Sequence, residues 1–152
     1  MVCCGPHGTQ LLFFALPLRV LYEGAIAPLL QDRLWAYVGG IARENGMTAF
    51  AVGGNDDHAH VLIAIPATIK VAAAMREIKR GSSLWMHEAS AMPEFAWQEG
   101  YGAFSIGHSQ IEATVRYIAR QKEHHQRRNF QSEFLAILKK HRMESDPRYV
   151  WG

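Results

Sequence analysis

The segment His58–Ile65 constrains the fold of this chain more than any other stretch of its sequence. It follows a turn-forming run of Gly-Gly-Asn-Asp-Asp and ends before Pro66, so its apolar residues are bounded on both sides. A short apolar run with such boundaries is typical of a buried β-strand. Because side chains alternate between the two faces of a strand, His58 and His60 are expected on the same face. The sequence therefore predicts a strand that begins with two neighbouring imidazoles.

Strands and helices are predicted on both sides of this strand. A first strand is expected at 9–16, and a helix between Pro28 and the Asn45-Gly46 stop. A second strand, at 47–52, is expected to form an antiparallel hairpin with the histidine strand. The later predictions are a second helix from an N-cap at Thr68 to about His87, two short strands at 95–98 and 103–106, a third helix opened by a capping box of Ser109 and Glu112, and a fourth helix at 130–141.

This order of elements predicts an α+β fold. It is typical of a ferredoxin-like, or RRM-like, antiparallel sheet with helices packed on it. In that arrangement the histidine strand is central and faces the third helix. The chain has 152 residues, the size of one domain with a sizeable core, so we expect a single domain at 1–152.

The composition excludes several classes of protein. With 49% hydrophobic and 20% charged residues, the chain is expected to fold rather than to be disordered. Its 2 cysteines, Cys3 and Cys4, are adjacent and offer neither a disulfide nor a zinc-type spacing, which favours a cytoplasmic location. No apolar run reaches the roughly 18 residues of a membrane span, so no membrane partner is expected. A net charge of +2 does not by itself indicate a nucleic-acid partner.

Tyr117 and Gln121 are four residues apart in a segment with helical periodicity, so they are expected on one helix face. His124 and Arg128 continue this polar line. A helical tyrosine is most often a packing residue, and such a line faces either a cleft or water. About 0.4 His-x-His pairs are expected by chance in a chain of this composition, so the pair alone is weak evidence. Two imidazoles, an amide oxygen and a phenol nevertheless suit metal-assisted attack on a phosphodiester.

Together these motifs are similar to those of a known family. His58-Ala59-His60 resembles the histidine-hydrophobic-histidine motif of HUH-type nucleases. With Tyr117-Ile118-Ala119-Arg120-Gln121, it resembles the single-tyrosine transposases of the insertion-sequence 200/605 group, which include the REP-associated tyrosine transposases. The resemblance covers about residues 28–152, and further matching segments follow in the expected order at 55–62, 79–83, 95–105, 123–125 and 130–134.

The resemblance implies a role for each of these side chains. His58, His60 and Gln121 would bind a divalent metal ion, and Tyr117 would attack a phosphate of single-stranded DNA at hairpin-flanked ends. The products would be a 5′-phosphotyrosine and a free 3′-hydroxyl, and strand transfer would reverse the step. The family favours Mg²⁺ or Mn²⁺; a site with two imidazoles suits Mn²⁺ at least as well as Mg²⁺, and the residues alone do not exclude Zn²⁺. A homodimer and association with the nucleoid when DNA is bound are also expected.

Basic residues cluster in two places. Charge alone favours solvated helix faces, whereas the resemblance favours contacts to the DNA backbone. The candidates for DNA binding are Arg76, Lys79 and Arg80 in the second helix, and Arg116, Arg120 and Lys122 near the tyrosine.

The N-terminal segment 1–27 departs from the family pattern. Where the family has a polar, basic stretch after its first strand, this chain has Pro17 and Leu18, and Arg19 is the only basic residue there. This departure favours an alternative function, a non-catalytic nucleic-acid-binding remnant of a mobile element. The retained tyrosine and metal-ligand candidates favour the enzyme. A third alternative, a zinc-dependent hydrolase, lacks a His-Glu-x-x-His or Cys-x-x-Cys pattern.

Overall fold

An antiparallel sheet is the framework of the computed structural model, which describes residues 4–5, 9–19, 26–89, 92–124 and 130–143. Strand β4 lies between β2 and β3, and both β5 and the very short β1 pair with the other edge of β2. The strands are β1 (Cys4–Gly5), β2 (Thr9–Pro17), β3 (Thr48–Gly54), β4 (His58–Ile65) and β5 (Gly102–Ser105).

Helices cover both faces of this sheet. They are α1 (Pro28–Glu44), α2 (Val71–Ala89), α3 (Ile111–Ala119), α4 (Gln121–His124) and α5 (Phe130–Lys140), and a short 3₁₀ helix (His108–Gln110) precedes α3. In the part of the chain that the structure describes, none of them is both long and apolar enough to cross a membrane.

The four longer strands have the order β5-β2-β4-β3, which is that of a ferredoxin-like sheet. The predicted α+β fold is therefore confirmed. So is the antiparallel hairpin of β3 and β4, and so is the central position of the histidine strand. The predicted first strand is β2, which pairs with β4 along the whole length of β4, from Gln10↔Ile65 to Pro17↔His58.

The two faces of the sheet carry two separate cores. On one face, alternate residues of β2 such as Phe14 pack with α1 and α2 through residues such as Val38 and Ile78. On the other face, Phe13 and Leu62 pack with residues of α3 and α5. Every residue of β4 is buried because both of its faces are covered. This explains why its sequence is a continuous apolar run after the two histidines rather than an alternation of apolar and polar residues.

Helix α1 begins and ends as its sequence predicts. Pro28 occupies the first turn, where a missing N–H costs nothing, and Asn45 caps the other end. Gly46 follows with φ of 77°, a left-handed conformation that favours glycine.

Two predicted helix starts are wrong. Helix α2 begins at Val71 rather than after Thr68, because the backbone N–H of Ile69 donates to the carbonyl of Pro66 and the intervening residues form a turn. Ser109 and Glu112 form no capping box: Ser109 lies inside the 3₁₀ helix, which begins one residue earlier. Its N-terminus is closed by Gly107 N–H donating to Gln110 Oε1 at 2.8 Å.

The strand predicted at 95–98 is reduced to a single bridge between Leu18 and Trp97. On either side of it, Gln98 N–H donates to the carbonyl of Pro17, and Arg19 N–H donates to that of Ala96. The ladder stops there because Pro17 has no N–H with which to continue it.

Candidate metal and nucleophile site

His58 and His60 lie at the start of β4, on the face that α3 and α5 cover. Both are fully buried, and their ring centroids are 4.8 Å apart. The alternation of side chains along the strand therefore places the two imidazoles together, as the sequence predicts.

Each of the two imidazoles stacks on the ring of a phenylalanine. Phe130 of α5 stacks on His58 with a centroid distance of 4.4 Å, and Phe13 of β2 stacks on His60 at 5.0 Å. These contacts restrict the rotation of the rings and keep bulk water away from them. Each histidine can therefore present a nitrogen in a fixed direction.

Both ring nitrogens of His58 have a partner. Nδ1 lies 2.6 Å from Asp57 Oδ1, and Nε2 lies 2.9 Å from Oε1 of the buried Gln121. A carboxylate that accepts from Nδ1–H makes Nε2 the nitrogen with which a neutral His58 would bind a metal. When His58 is protonated, Nε2–H donates to the amide oxygen; when it is neutral, Nε2 and Gln121 Oε1 are two electron-pair donors that a cation would bring together.

Gln121 reaches the histidines although the helix predicted to carry it is interrupted. Helix α3 ends at Ala119, where Arg120 N–H is shared between the carbonyls of Arg116 and Tyr117, and α4 begins at Gln121. The expectation that Tyr117 and Gln121 share one continuous helix is thus wrong, but the two side chains still belong to one cluster.

Tyr117 lies on α3, beside His60. Its ring centroid is 5.5 Å from that of His60, and its hydroxyl donates a hydrogen bond to the Glu133 carboxylate of α5. The candidate nucleophile is therefore held against the candidate metal ligands.

Glu133 is a site residue that the sequence analysis missed. Its Oε1 accepts hydrogen bonds from the Tyr117 hydroxyl and, at 3.3 Å, from Gln121 Nε2. Burial raises the pKa of the Glu133 carboxyl, the charge of His58 acts in the opposite direction, and Asp57 raises the pKa further. One signal could have pointed to it: an acid between Phe130 and Phe134 lies at the border of the apolar face of a helix.

The described side chains fit a divalent cation. His58, His60 and Glu133 each offer one ligand atom, and these atoms lie within 4.8 Å of one another. Gln121 Oε1 adds an amide oxygen next to His58. Imidazole nitrogens with carboxylate and amide oxygens are a donor set used for Mn²⁺ and Zn²⁺, and the oxygens also suit Mg²⁺.

The basic candidates lie in different surroundings. Arg76 and Arg80 are exposed on α2, which packs on the opposite face of the sheet from the histidines. Arg116 and Arg120 are exposed near Tyr117, and the side chain of Lys122 lies outside the described residues. The roles of His124 and Arg128 in the polar line also fall outside them.

Lys79 differs from its neighbours on α2. Its Nζ donates to the carbonyl oxygens of Gln98, Glu99 and Gly100, at 2.8, 3.0 and 2.9 Å. It also lies 5.1 Å from the ring centroid of Tyr101. Burial lowers the pKa of Lys79, and the charge of Glu99 acts in the opposite direction. In this structure the side chain fastens a loop to the helix.

Comparisons with known proteins agree with this fold. The chain is similar to a protein from Deinococcus radiodurans R1 that is provisionally described as a transposase: identity is 17%, the TM-score is 0.56, and the match covers 74% of this chain and 91% of that one. It is also similar to a REP-associated tyrosine transposase bound to a REP hairpin, at 20% identity and a TM-score of 0.56, covering 76% of this chain and 68% of that one.

No curated protein matches the chain at a significant level. A family model does: the one described as transposase, IS200-like, matches residues 23–121. This match contains the histidine pair, the tyrosine and the glutamine of the site. The chain belongs to the IS200-like transposase family.

Proposed function

We propose that this chain is a REP-associated type of tyrosine transposase, which cleaves and rejoins single-stranded DNA at hairpin-flanked ends. Tyr117 is the nucleophile, and His58, His60 and Gln121 hold a divalent ion, Mg²⁺ or Mn²⁺. The observation that carries the proposal is the juxtaposition of the Tyr117 ring with the buried histidine pair. The REP hairpin bound to one of the similar proteins supports hairpin DNA as the partner.

The reaction is a displacement at phosphorus. The phenolic oxygen of Tyr117 forms a bond to the phosphorus, and the bond from phosphorus to the 3′ oxygen breaks. The phenolic proton passes to water, and the leaving 3′ oxygen takes a proton from water. The product is a 5′-phosphotyrosine and a free 3′-hydroxyl, and attack by a new 3′-hydroxyl reverses the step.

A phenol is a weak nucleophile, and the residues of the site can orient it and activate the phosphate that it attacks. A tyrosine has a pKa of about 10 and is mostly protonated at neutral pH, so it needs a well-placed and polarised phosphate. The ion, when bound, would withdraw charge from the phosphate oxygens. Glu133 accepts the hydrogen bond of the Tyr117 hydroxyl and so orients the phenol, while Phe13 and Phe130 hold the imidazoles in place.

Exposed arginines supply the candidate contacts to the DNA backbone. Arg116 and Arg120 are near the nucleophile, and Arg76 and Arg80 lie on α2. Guanidinium groups bind phosphates through paired hydrogen bonds, and such contacts do not distinguish one DNA base sequence from another. The expected homodimer remains a prediction. Within one chain, His58 contacts Gln121 and Tyr117 contacts Glu133.

A suicide-substrate assay tests the proposal. Labelled single-stranded hairpin DNA from the genomic flanks of the gene is mixed with the purified protein and Mn²⁺ or Mg²⁺. We expect a covalent protein–DNA band that disappears in Tyr117→Phe and with a chelator, while Tyr37→Phe, at an exposed tyrosine of α1, keeps it. DNA binding without any covalent band would instead favour the alternative, a non-catalytic remnant of a mobile element.

A further inference from the structure

Glu133 connects the nucleophile to the proposed metal ligands, although it comes from a helix that carries none of them. Its carboxylate accepts hydrogen bonds from Tyr117 and Gln121, and one of its oxygens lies within 4.8 Å of a ring nitrogen of each histidine. Helix α5 presents it here because Phe130 and Phe134, on either side of it, are buried against the sheet.

We propose that Glu133 is itself a ligand of the divalent ion, so that the site has two imidazoles, one amide oxygen and one carboxylate. This inference rests on the proposed function, because it concerns the same ion. Two ligand atoms bound to one ion at about 2.1 Å are at most about 4.2 Å apart. Neighbouring ligands in tetrahedral or octahedral geometry are closer, about 3.0–3.4 Å apart, so atoms that lie up to 4.8 Å from one another have to approach by up to about 1.8 Å. Rotation about the side-chain bonds of Glu133 moves its carboxylate in this way.

The orientation of Gln121 supports this assignment. Its Nε2 donates to Glu133 and its Oε1 lies next to His58 Nε2. The carboxylate therefore fixes the amide so that its oxygen, the atom that can bind a metal, points to the histidine. An amide turned the other way would place two hydrogen-bond donors toward the cation and two acceptors together at Glu133.

Charge balance favours the same conclusion. A half-buried carboxylate loses a part of its hydration, and the Glu133 carboxylate accepts hydrogen bonds from Tyr117 and Gln121. A divalent ion would add positive charge next to this carboxylate. One carboxylate on a divalent ion leaves a net positive charge, so the site can still attract a DNA phosphate.

The role has a structural consequence. Helix α5 contacts the nucleophile through one hydrogen bond and His58 through the Phe130 ring. If Glu133 also binds the ion, the ion links α5 to the histidines of β4. The side chains of the site are then held in place before DNA binds.

Titration of the full chain with Mn²⁺, in the absence of DNA, tests the inference. We expect Glu133→Gln to weaken Mn²⁺ binding at least tenfold and His58→Ala to abolish it. Glu112→Gln, which removes the same charge from an exposed position on α3, should remain within twofold of the unchanged protein. Circular dichroism shows whether each variant is folded; if Glu133→Gln is not, Glu133→Asp replaces it.

Bound Co²⁺ gives a second readout, because its visible spectrum reports the ligands directly. We expect Glu133→Gln to change this spectrum, while Glu112→Gln leaves it as it was. Unchanged Mn²⁺ affinity and an unchanged Co²⁺ spectrum in Glu133→Gln, with binding lost in His58→Ala, would overturn the assignment and leave the proposed function standing. Absence of metal binding by the unaltered chain would overturn it too, and the covalent-band assay then decides separately whether Tyr117 is the nucleophile.

Discussion

The hydroxyl of Tyr117 donates a hydrogen bond to the carboxylate of Glu133, and this bond joins α3 to α5 over the histidine strand. The orientation of the candidate nucleophile thus depends on a helix that comes later in the chain. The same carboxylate accepts a hydrogen bond from Gln121, so two of the candidate site residues share Glu133 as their acceptor. A change at any of them is expected to alter both stability and chemistry.

Removal of the Tyr117 hydroxyl should lower stability as well as abolish the covalent product. Tyr117→Phe leaves a half-buried carboxylate with one donor fewer, and we expect a loss of about 1–3 kcal/mol in the free energy of unfolding without metal. Tyr37→Phe removes a hydroxyl from an exposed ring and should cost less than about 0.5 kcal/mol. Urea unfolding of both variants measures the difference, and equal effects would contradict a stabilising bond to Glu133.

Asp57 should control the metal affinity without binding the ion. Its carboxylate lies 2.6 Å from His58 Nδ1 and selects the tautomer in which Nε2 binds a metal. We expect Asp57→Asn to weaken Mn²⁺ binding by about 10–100-fold. Asp56→Asn changes the adjacent acid and should have little effect. Isothermal titration with Mn²⁺ compares the two, and similar affinities in both variants would remove Asp57 from the site.

The sequence predicts the parts of the site that depend on local periodicity. The alternation in β4 is sufficient to place His58 and His60 on one face, since any strand at that position has this property. The order of the elements along the chain predicts the order of the strands in the sheet. It therefore also predicts that the strand with His58 and His60 is central. The four-residue spacing brought Tyr117 and Gln121 together in spite of the interruption at Arg120.

Glu133 could not be predicted in the same way, because its role depends on how α5 lies across the sheet. Periodicity predicts which residues of α5 are buried. It does not predict which residues of α3 and β4 a side chain beside them, such as Glu133, will contact. The same limitation applies to Lys79, whose three acceptors are backbone carbonyls of a loop some 20 residues away in sequence. Contacts of this kind follow from tertiary packing and leave no periodic trace.

Close packing of α3 on β3 should make Gly53 intolerant of a side chain. A Cβ at Gly53 would lie 2.7 Å from Ile118 Cγ2 and 2.9 Å from the Ile118 backbone oxygen. Because the backbone cannot easily yield, Gly53→Ala should displace α3, and with it the adjacent Tyr117. We expect a loss of about 1–3 kcal/mol in stability and a slower covalent reaction.

Gly40→Ala is the matched control, since a Cβ at Gly40 in α1 meets nothing within 4 Å. Alanine there should raise helix stability by up to about 1 kcal/mol. Thermal unfolding and the rate of covalent product formation measure both variants. A Gly53→Ala protein as stable and as active as the unaltered chain would show that α3 does not need this close approach.

Lys79 should contribute to the stability of the fold, whereas Arg76 should contribute to DNA binding. Lys79→Met removes the donor to three carbonyls of the loop at 98–100, and we expect a loss of about 1–3 kcal/mol in stability. Arg76 lies one helical turn earlier and is 72% exposed, so Arg76→Met should leave stability almost unchanged. If Arg76 contacts DNA, its loss should weaken binding and reduce the salt dependence. Urea unfolding and fluorescence anisotropy with single-stranded DNA separate the two effects.

The site should be complete within one chain. His58 contacts Gln121, and Tyr117 contacts Glu133, without a second copy. We therefore expect that a mixture of His58→Ala and Tyr117→Phe proteins forms no covalent product, because neither chain has both a metal site and a nucleophile. If dimers instead exchange their tyrosine helices, the mixture should regain activity, with the DNA attached to the His58→Ala chain, which retains Tyr117. Two affinity tags of different mass identify the labelled chain on a denaturing gel. Light scattering on the same samples shows whether the expected homodimer forms, and a dimer without complementation would place its interface away from the reacting groups.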